Sequence, residues 1–496
     1  MKTLPSPAPT VRSKGGIALK TQKHRFRIVA FLLIALLVLL ALYGTFSVTR
    51  YGNRWFSSSH NSRLSAQKQN VIEGSILDRN ETVLAKTEDG KRIFPEDTED
   101  RKAVVHLLGD REGNISNAIE AFQIGYLYGF TASLPDRIGS LLASQPLHGN
   151  DLVLTVDSRL NRALMESFQS RVPGKKGAAV IMNWQTGEIV GFISLPTYDP
   201  DALTDAVKKD PDQPFWNRVT QGLYPPGSTF KIVTAAAALK SLPDALSFTV
   251  DCDGALTLSD GTVIHDFQQE VHRKIGLADA FRLSCNPFFA SLALRLGDAD
   301  LRSAASGFGF GANFLFRDLV VENSVYPSSA QSGFSLATSG IGQSSITATP
   351  MHVCLIAASI ANGGSMMEPQ LIREVRSPAG RTVSTLKPAV YRKTCSEKIA
   401  ATISGFMKST VQDGGSGWRA AVNGMDIRGK TGTAESAVNG LPVNYGWFTG
   451  FSADSKLPYA LCILVEDIPD GQTGGTTSAV IAADAFKAVR DLLSEP

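Results

Sequence analysis

Three short segments carry residue types suited to acyl chemistry. In Pro225-Pro226-Gly227-Ser228-Thr229-Phe230-Lys231 a serine stands three residues before a lysine. The prolines and the glycine cannot lie inside a helix, whereas Ile232–Leu239 is strongly helical, so Ser228 is expected at a helix N-terminus. Free backbone N–H groups and the helix dipole stabilise a developing negative charge there. Lys231 is one turn on, on the same face. In a desolvated place a lysine is neutral near pH 7 and takes the serine's proton. The second segment, Ser284-Cys285-Asn286 before Pro287, sets a hydroxyl and an amide two residues apart in a turn between helices, where both can face one cleft. The third is Gly429-Lys430-Thr431-Gly432-Thr433-Ala434-Glu435. Two β-branched threonines alternate around Gly432, which suits an edge strand that another backbone approaches closely. Lys430 supplies a cation, and Thr431 and Thr433 supply hydroxyl donors, a set able to hold a carboxylate.

Each segment alone also has a plain structural reading: a capped helix with an exposed lysine, a loop ending a helix, a turn and strand. Their order and context make the set specific. They follow one another as SxxK, SxN and KTG, with Ser284 lying 56 residues after Ser228 and Lys430 a further 146 on.

The elements that must position them are partly readable. Gly177–Leu195 is two apolar runs separated by Asn183–Gly187, a β-hairpin with Gly187 at the turn. Tyr445–Ser452 and Pro458–Glu466 give two further strands, and Thr477–Leu493 has helical spacing with Thr477 or Ser478 as N-cap. A long, mostly helical region lies between them. Strands from both ends meeting in one antiparallel sheet, with helices packed on it, is an α+β architecture. Upstream, Val71–Lys86 reads as two short strands around a turn at Asp78-Arg79-Asn80. Asp151–Asp157 alternates like a strand, and Ser158–Val172 is helical. Lys91–Asn150 shows little usable periodicity.

Composition bounds the rest. The chain has 496 residues, 43% hydrophobic and 19% charged, which excludes a disordered or collagen-like chain and a polytopic transporter. Ile28–Val48 is an uncharged apolar run long enough for a bilayer core, longer than the apolar part of a cleaved signal peptide, and no small-x-small cleavage site follows it. Lys2, Arg12, Lys14, Lys20, Lys23, Arg25 and Arg27 precede it with no acid among them, so the N-terminus is expected in the cytoplasm and everything after about Thr49 outside. Without this tail the chain is slightly acidic, which argues against nucleic acid as a partner. The five cysteines form no CxxC pair and no histidine cluster has ligand spacing, so no metal site is expected; one disulfide, its pairing open, is compatible with an oxidising exterior.

The triple SxxK, SxN, KTG resembles the signature of penicillin-binding proteins and serine β-lactamases. Over most of its length the chain is similar to class B penicillin-binding proteins, membrane-anchored peptidoglycan D,D-transpeptidases. The resemblance extends to Thr186-Gly187-Glu188-Ile189 with Ser194-Leu195-Pro196, to Tyr224–Lys231, to Gly342-Gln343 with Thr349-Pro350, and to Ala361-Asn362-Gly363-Gly364. Ile76–Asn80 with Leu84-Ala85 looks like the family's short N-terminal module, although Glu73 replaces a basic residue and Glu81 a glycine. The resemblance implies an antiparallel five-stranded sheet flanked by helices, with a helical subdomain. It divides the chain into a basic tail (1–27), a membrane anchor (28–48), a short pedestal-like module (49–150) and a transpeptidase domain (151–496).

The resemblance also implies roles. Ser228 is the nucleophile acylated by the D-Ala-D-Ala end of a stem peptide, and Lys231 is its base. Ser284 relays a proton to the leaving group, and Asn286 holds Lys231 and the substrate amide. Lys430 tunes the field and helps keep Lys231 neutral. Thr431, Gly432 and Thr433 bind the substrate, with the two threonines on its carboxylate or that of a β-lactam. The N–H groups of Ser228 and Thr433 form the oxyanion hole, and the substrate adds to the edge strand. No cofactor is implied. The implied partners are peptidoglycan stem peptides, β-lactams and a glycosyltransferase of the elongation or division machinery, since Thr49–Asn150 is too short for a glycosyltransferase domain. Alternatives are a D,D-carboxypeptidase, a membrane-bound serine β-lactamase or β-lactam sensor, and an idle scaffold, against which the intact Ser228, Lys231 and Lys430 speak. A Ser-His-Asp hydrolase lacks its GxSxG elbow here, and the adjacent His265-Asp266 cannot orient one another.

Overall fold

The computed structural model describes residues 15–56, 71–129, 138–140, 142, 146–438 and 441–493. The chain forms two units, Met1–Trp55 and Phe56–Pro496.

The first unit is helical. A helix runs over Gly15–Phe56 and contains the apolar stretch His24–Ser47, 24 residues whose most apolar part has no buried residue. It is the one helix among the described residues long and apolar enough to cross a membrane. The helix extends past the apolar run at both ends, because no proline or glycine-rich turn interrupts it between Gly15 and Phe56.

The second unit is built on a five-stranded antiparallel sheet. Its strands are β1 (Gly177–Asn183), β2 (Ile189–Leu195), β3 (Ile427–Val438), β4 (Leu441–Ser452) and β5 (Tyr459–Val465), in the spatial order β3-β4-β5-β1-β2. The first and last of these five strands in chain order are thus neighbours: Leu461 pairs with Ile181 and Ile463 with Ala179. Every residue of β1 and β5 is buried, which is why both read as continuous apolar runs. Their side chains still alternate. Ala178, Val180, Met182, Cys462 and Leu464 enter the core shared with the buried helix Pro350–Ala361, whereas Ala179, Ile181, Leu461 and Ile463 enter the core made with the helices Ser158–Arg171 and Ser478–Leu493. The apolar helix Pro350–Ala361 is therefore a core element under the sheet. The last helix starts at Ser478 as expected, yet Thr477 donates its hydroxyl to Thr473 O and Ser478 to Gly446 O, so both tie the helix start to its surroundings.

The hairpin turn between β1 and β2 has Gly187 at φ 86°, where L-residues are strained. The helical region holds Lys231–Ser241, Leu277–Leu283, Asn286–Phe308, Gly333–Gly340 and Glu397–Val411.

A second sheet joins distant segments. Its order is Thr382–Thr385, Ile372–Arg376, Asp151–Leu154, Ile76–Leu77, Val83–Glu88, Lys91–Ile93. Strands from both sides of residue 150 therefore share one sheet. The Asp78 carboxylate is fully buried and holds its turn by accepting from Asn80 N (2.8 Å) and Thr82 N (2.9 Å) and from the Ser158 hydroxyl (2.8 Å). Glu81, standing where a glycine is usual, takes φ 67° and reaches Arg376 at 2.8 Å. Glu73 takes a hydrogen bond from Tyr128 (2.9 Å). The segment that showed no periodicity contains the helix Thr98–Leu108, capped by Asp97.

Candidate active site

The serine of the first motif sits on a tight turn that three contacts fix. Gly227–Phe230 is a 3₁₀ turn running directly into the helix Lys231–Ser241, which places Ser228 at a helix start. Trp447 Nε1 donates to Pro225 O (3.0 Å), Gly227 N to Gly342 O (2.9 Å), and the Thr229 hydroxyl to Pro226 O (2.7 Å). The turn lies against β3. A Cβ on Gly227, whose φ is 51°, falls 2.6 Å from Thr433 O, and one on Gly432 falls 3.0 Å from the Thr229 methyl. Both glycines let the backbone of the Ser228 turn approach β3 closely. Gly227→Ala is therefore expected to cost about 1–3 kcal/mol and to slow penicillin labelling. A thermal midpoint and labelling rate both equal to wild type show that the close approach imposes no constraint.

Ser284 ends the helix Leu277–Leu283 in the left-handed conformation (φ 66°), and a new helix opens at Asn286. A non-glycine residue held there is strained, and the reversal aims the Ser284 and Asn286 side chains at one point. That point is occupied by two amines. Lys231 Nζ donates to Ser284 O (2.5 Å) and Asn286 Oδ1 (2.8 Å) and lies 3.3 Å from Ser284 Oγ. Lys430 Nζ lies 2.8 Å from Ser284 Oγ and 3.1 Å from Thr431 O. Both lysines are fully buried, Lys231 over the Phe289 ring and Lys430 over Phe281.

Two buried ammonium groups around one hydroxyl do not both keep their charge. Burial lowers Lys231 to about 8, against the pull of Asp266 and Cys285. Burial also drives Lys430 well below the ordinary lysine range, and the charge of Lys231 adds to this. The two amines meet at one hydroxyl, so each disfavours the charge of the other, while Asp266 and Cys285 draw Lys231 toward its ammonium form.

β3 is an edge strand of the main sheet, as its threonine-glycine alternation suggests. The Thr431 hydroxyl is 2.9 Å from Ser416 Oγ, and Thr433 Oγ1 accepts from Gly474 N at 3.3 Å. The free side of this strand lies beside the Ser228 turn. A serine at a helix start, a hydroxyl between two buried amines and an edge strand with hydroxyl donors are the parts that serine acyl transfer uses. Ser228, Lys231, Ser284, Asn286, Lys430 and the Thr431–Thr433 strand are all brought together.

Residues 177–487 match the penicillin-binding protein transpeptidase domain, a span that covers well over half of the chain and all three motifs. The chain belongs to this family. As a member it is a penicillin-binding peptidoglycan D,D-transpeptidase. The transpeptidase is 29% identical over 377 residues to the peptidoglycan D,D-transpeptidase PbpA of Mycolicibacterium smegmatis, covering 70% of this chain and 73% of that one. It is 30% identical over 361 residues to stage V sporulation protein D of Bacillus subtilis, covering 71% of this chain and 54% of that one. Among solved structures it is similar to penicillin-binding protein A of Mycobacterium tuberculosis in its ceftriaxone acyl-enzyme complex, with TM-score 0.77, 26% identity, and coverage of 86% of this chain and 99% of that one.

One supporting feature of the transpeptidase lies outside the three motifs. Asp266 Oδ1 accepts from Asn286 N at 3.2 Å, so a carboxylate supports the SxN turn from behind. The signal available was only the residue pair His265-Asp266, read there as lacking triad geometry; Asp266 in fact meets His272, at 3.0 Å.

Proposed function

We propose that Ser228 is the nucleophile of a transpeptidation that passes through an acyl-enzyme. What carries the proposal is Ser284 Oγ held between two buried lysines at the foot of the Ser228 turn. Ser228 Oγ attacks the carbonyl of the penultimate D-Ala, and Lys231 accepts the hydroxyl proton. The negative charge on the carbonyl oxygen is met by the N–H groups of Ser228 and Thr433. Ser284 passes a proton to the nitrogen of the leaving D-Ala, the C–N bond breaks, and an ester to Ser228 remains. An amine of a second stem peptide then attacks the ester and restores the Ser228 hydroxyl. Thr431 and Thr433 hold the terminal carboxylate, and the peptide lies along β3 as an added strand. A β-lactam follows the first half of this path, and its ring nitrogen stays tethered. Incubation of the full-length protein with a penicillin and mass mapping of its peptides are expected to place the adduct on Ser228. An adduct on any other serine overturns the assignment.

The domain arrangement follows from the same reading. Residues 28–48 anchor the chain, residues 49–150 form a short pedestal, and residues 151–496 are the transpeptidase domain. Polymerisation of glycan falls to a glycosyltransferase partner. The N-terminus is cytoplasmic and the catalytic unit lies outside, supported by the seven cations before Ile28 and the apolar helix His24–Ser47. A reporter active only outside the cytoplasm, fused after Pro496, is expected to be active. A reporter active only inside the cytoplasm working at that position overturns both the orientation and the peptidoglycan substrate.

A further inference from the structure

The segment Gly342-Gln343 stands between the Ser228 turn and β3. Gly342 O accepts from Gly227 N at 2.9 Å, and Gln343 N donates to Thr338 O at 3.0 Å, which ties the segment to the turn and to the helix Gly333–Gly340. Gly342 has φ 76°, and a Cβ there would collide with Gly227 O, so the segment is packed tightly against the turn. The Gln343 side chain reaches β3. In the orientation that gives each atom of its amide a partner, the nitrogen donates to Glu435 O and the oxygen accepts from Glu435 N, both at 3.3 Å. One residue of an added strand makes the same pair of bonds. The backbone groups of a strand face alternate sides, so Thr431, Thr433 and Glu435 present theirs to the one free side of β3. Along that side Lys430 Nζ takes Thr431 O at 3.1 Å, and Gln343 takes both groups of Glu435. Between them the Thr433 N–H and C=O have no hydrogen-bond partner among the described residues.

We propose that Gln343 is a specificity-determining residue: its side-chain amide stands in for a peptide unit at Glu435 and ends the substrate groove there, so that β3 pairs with one residue of the donor peptide. This rests on the transpeptidase reading, in which the penultimate D-Ala carbonyl lies at the Thr433 N–H and the terminal carboxylate at Thr431 and Thr433. A donor placed in that way runs antiparallel to β3, with its earlier residues heading toward Glu435. The penultimate D-Ala exchanges both of its backbone bonds with Thr433. The residue before it turns its backbone groups away from the strand. The residue two before it is the next that can pair, and it meets Glu435 already satisfied by Gln343. Displacing Gln343 breaks two hydrogen bonds in order to make two, so a longer pairing gains nothing. β3 thus reads the D-Ala-D-Ala end alone. A donor whose backbone cannot join a sheet two residues before the penultimate D-Ala is accepted as readily as one whose backbone can.

An N-methyl scan of synthetic donor peptides ending in D-Ala-D-Ala tests this on the full-length protein in detergent. The readouts are kcat/KM for release of the terminal D-Ala and protection of the protein from penicillin labelling. A methyl group on the nitrogen of the penultimate D-Ala removes the bond to Thr433 O and is expected to lower kcat/KM about tenfold. A methyl group on the nitrogen two residues earlier is expected to leave the wild type within about twofold of the unmodified donor, since no bond is lost. In Gln343→Ala, Glu435 is open, and that second methyl group is expected to cost about tenfold as well. Each comparison is a ratio of methylated to unmethylated donor on one enzyme, which a general loss of stability or rate does not move. Gln343→Asn, whose amide falls one carbon short of Glu435, is expected to gain the same sensitivity and serves if the alanine variant does not fold. A wild type as sensitive at the second position as at the first overturns the proposal, because the donor then pairs at Glu435 and Gln343 gives way. A folded Gln343 variant that stays insensitive at the second position overturns it too. Donors that react but feel neither methyl group overturn the added strand on β3, and the proposal with it, while the Ser228 acyl-enzyme stands. Donors that neither react nor slow labelling overturn the placement of the peptide that both readings share.

Discussion

Ser228→Ala is expected to abolish penicillin labelling and to leave the thermal unfolding midpoint within the scatter of wild type. The two halves have different grounds. Ser228 is half-buried at the mouth of its turn, and the turn is held by Trp447, Gly342 and the Thr229 hydroxyl, so losing one oxygen removes no support. A substitution of that kind changes stability by roughly 0.5 kcal/mol or less. The chemistry loses its only bond-forming oxygen, and the acylation rate falls on the order of 10⁶-fold, the scale seen when a serine enzyme loses its nucleophile. Labelling is read by fluorescent penicillin on gels and by intact mass. A variant that still forms the adduct assigns the nucleophile elsewhere, and a large drop in midpoint makes Ser228 a structural residue.

Lys231→Arg keeps the positive charge and is expected to lose nearly all activity. A general base must release its proton near neutral pH, and burial brings Lys231 down to about 8, close enough to do so. Arginine stays protonated, its pKa remaining above about 12 wherever it is placed. Its planar fork also cannot reproduce the compact amine that reaches Ser284 O, Ser284 Oγ and Asn286 Oδ1 together. The sign of the pH effect follows from the lowered value. Below about 8 Lys231 is mostly ammonium, so the wild-type acylation rate rises about tenfold per pH unit and levels off above it. Lys231→Arg is slow at every pH and shows no such limb. If it keeps more than about a tenth of the wild-type rate, the barrier has risen by less than ~1.4 kcal/mol, too little for the loss of a general base, and Lys231 only binds.

The catalytic motifs were legible because their meaning is local. Proline and glycine before a helical run mark where Ser228 must stand, and a threonine-glycine-threonine alternation marks β3 as an edge. The main sheet was legible for a related reason: β1, β2 and β5 are apolar runs between evident turns. What escaped is what depends on distance. Strands were readable in Val71–Lys86 and at Asp151–Asp157, but their union with Ile372–Arg376 in one sheet was not, since nothing local names a partner hundreds of residues away. The helix Thr98–Leu108 was hidden because consecutive residues from Ala103 to Leu108, His106 included, are buried, which erases the amphipathic stripe. The charge state of the two lysines turns on which acceptors each amine finds after folding.

The pairing of β1 with β5 has a consequence for how the molecule is made. β1 leaves the ribosome some 280 residues before the strand that completes its neighbourhood, Leu461 against Ile181 being the plainest instance. The second sheet repeats the pattern, with Val153 waiting for Glu374. Contacts of such long sequence separation close slowly, and a strand with an open edge invites pairing with another chain in the meantime. Synthesis from the N-terminus therefore yields no half-built catalytic unit: Ser228 has emerged long before the Lys430 strand it needs, and a chain cut before Tyr459 has neither a closed sheet nor a site. Acylation competence arrives in a single late event, when the last strand docks between β4 and β1.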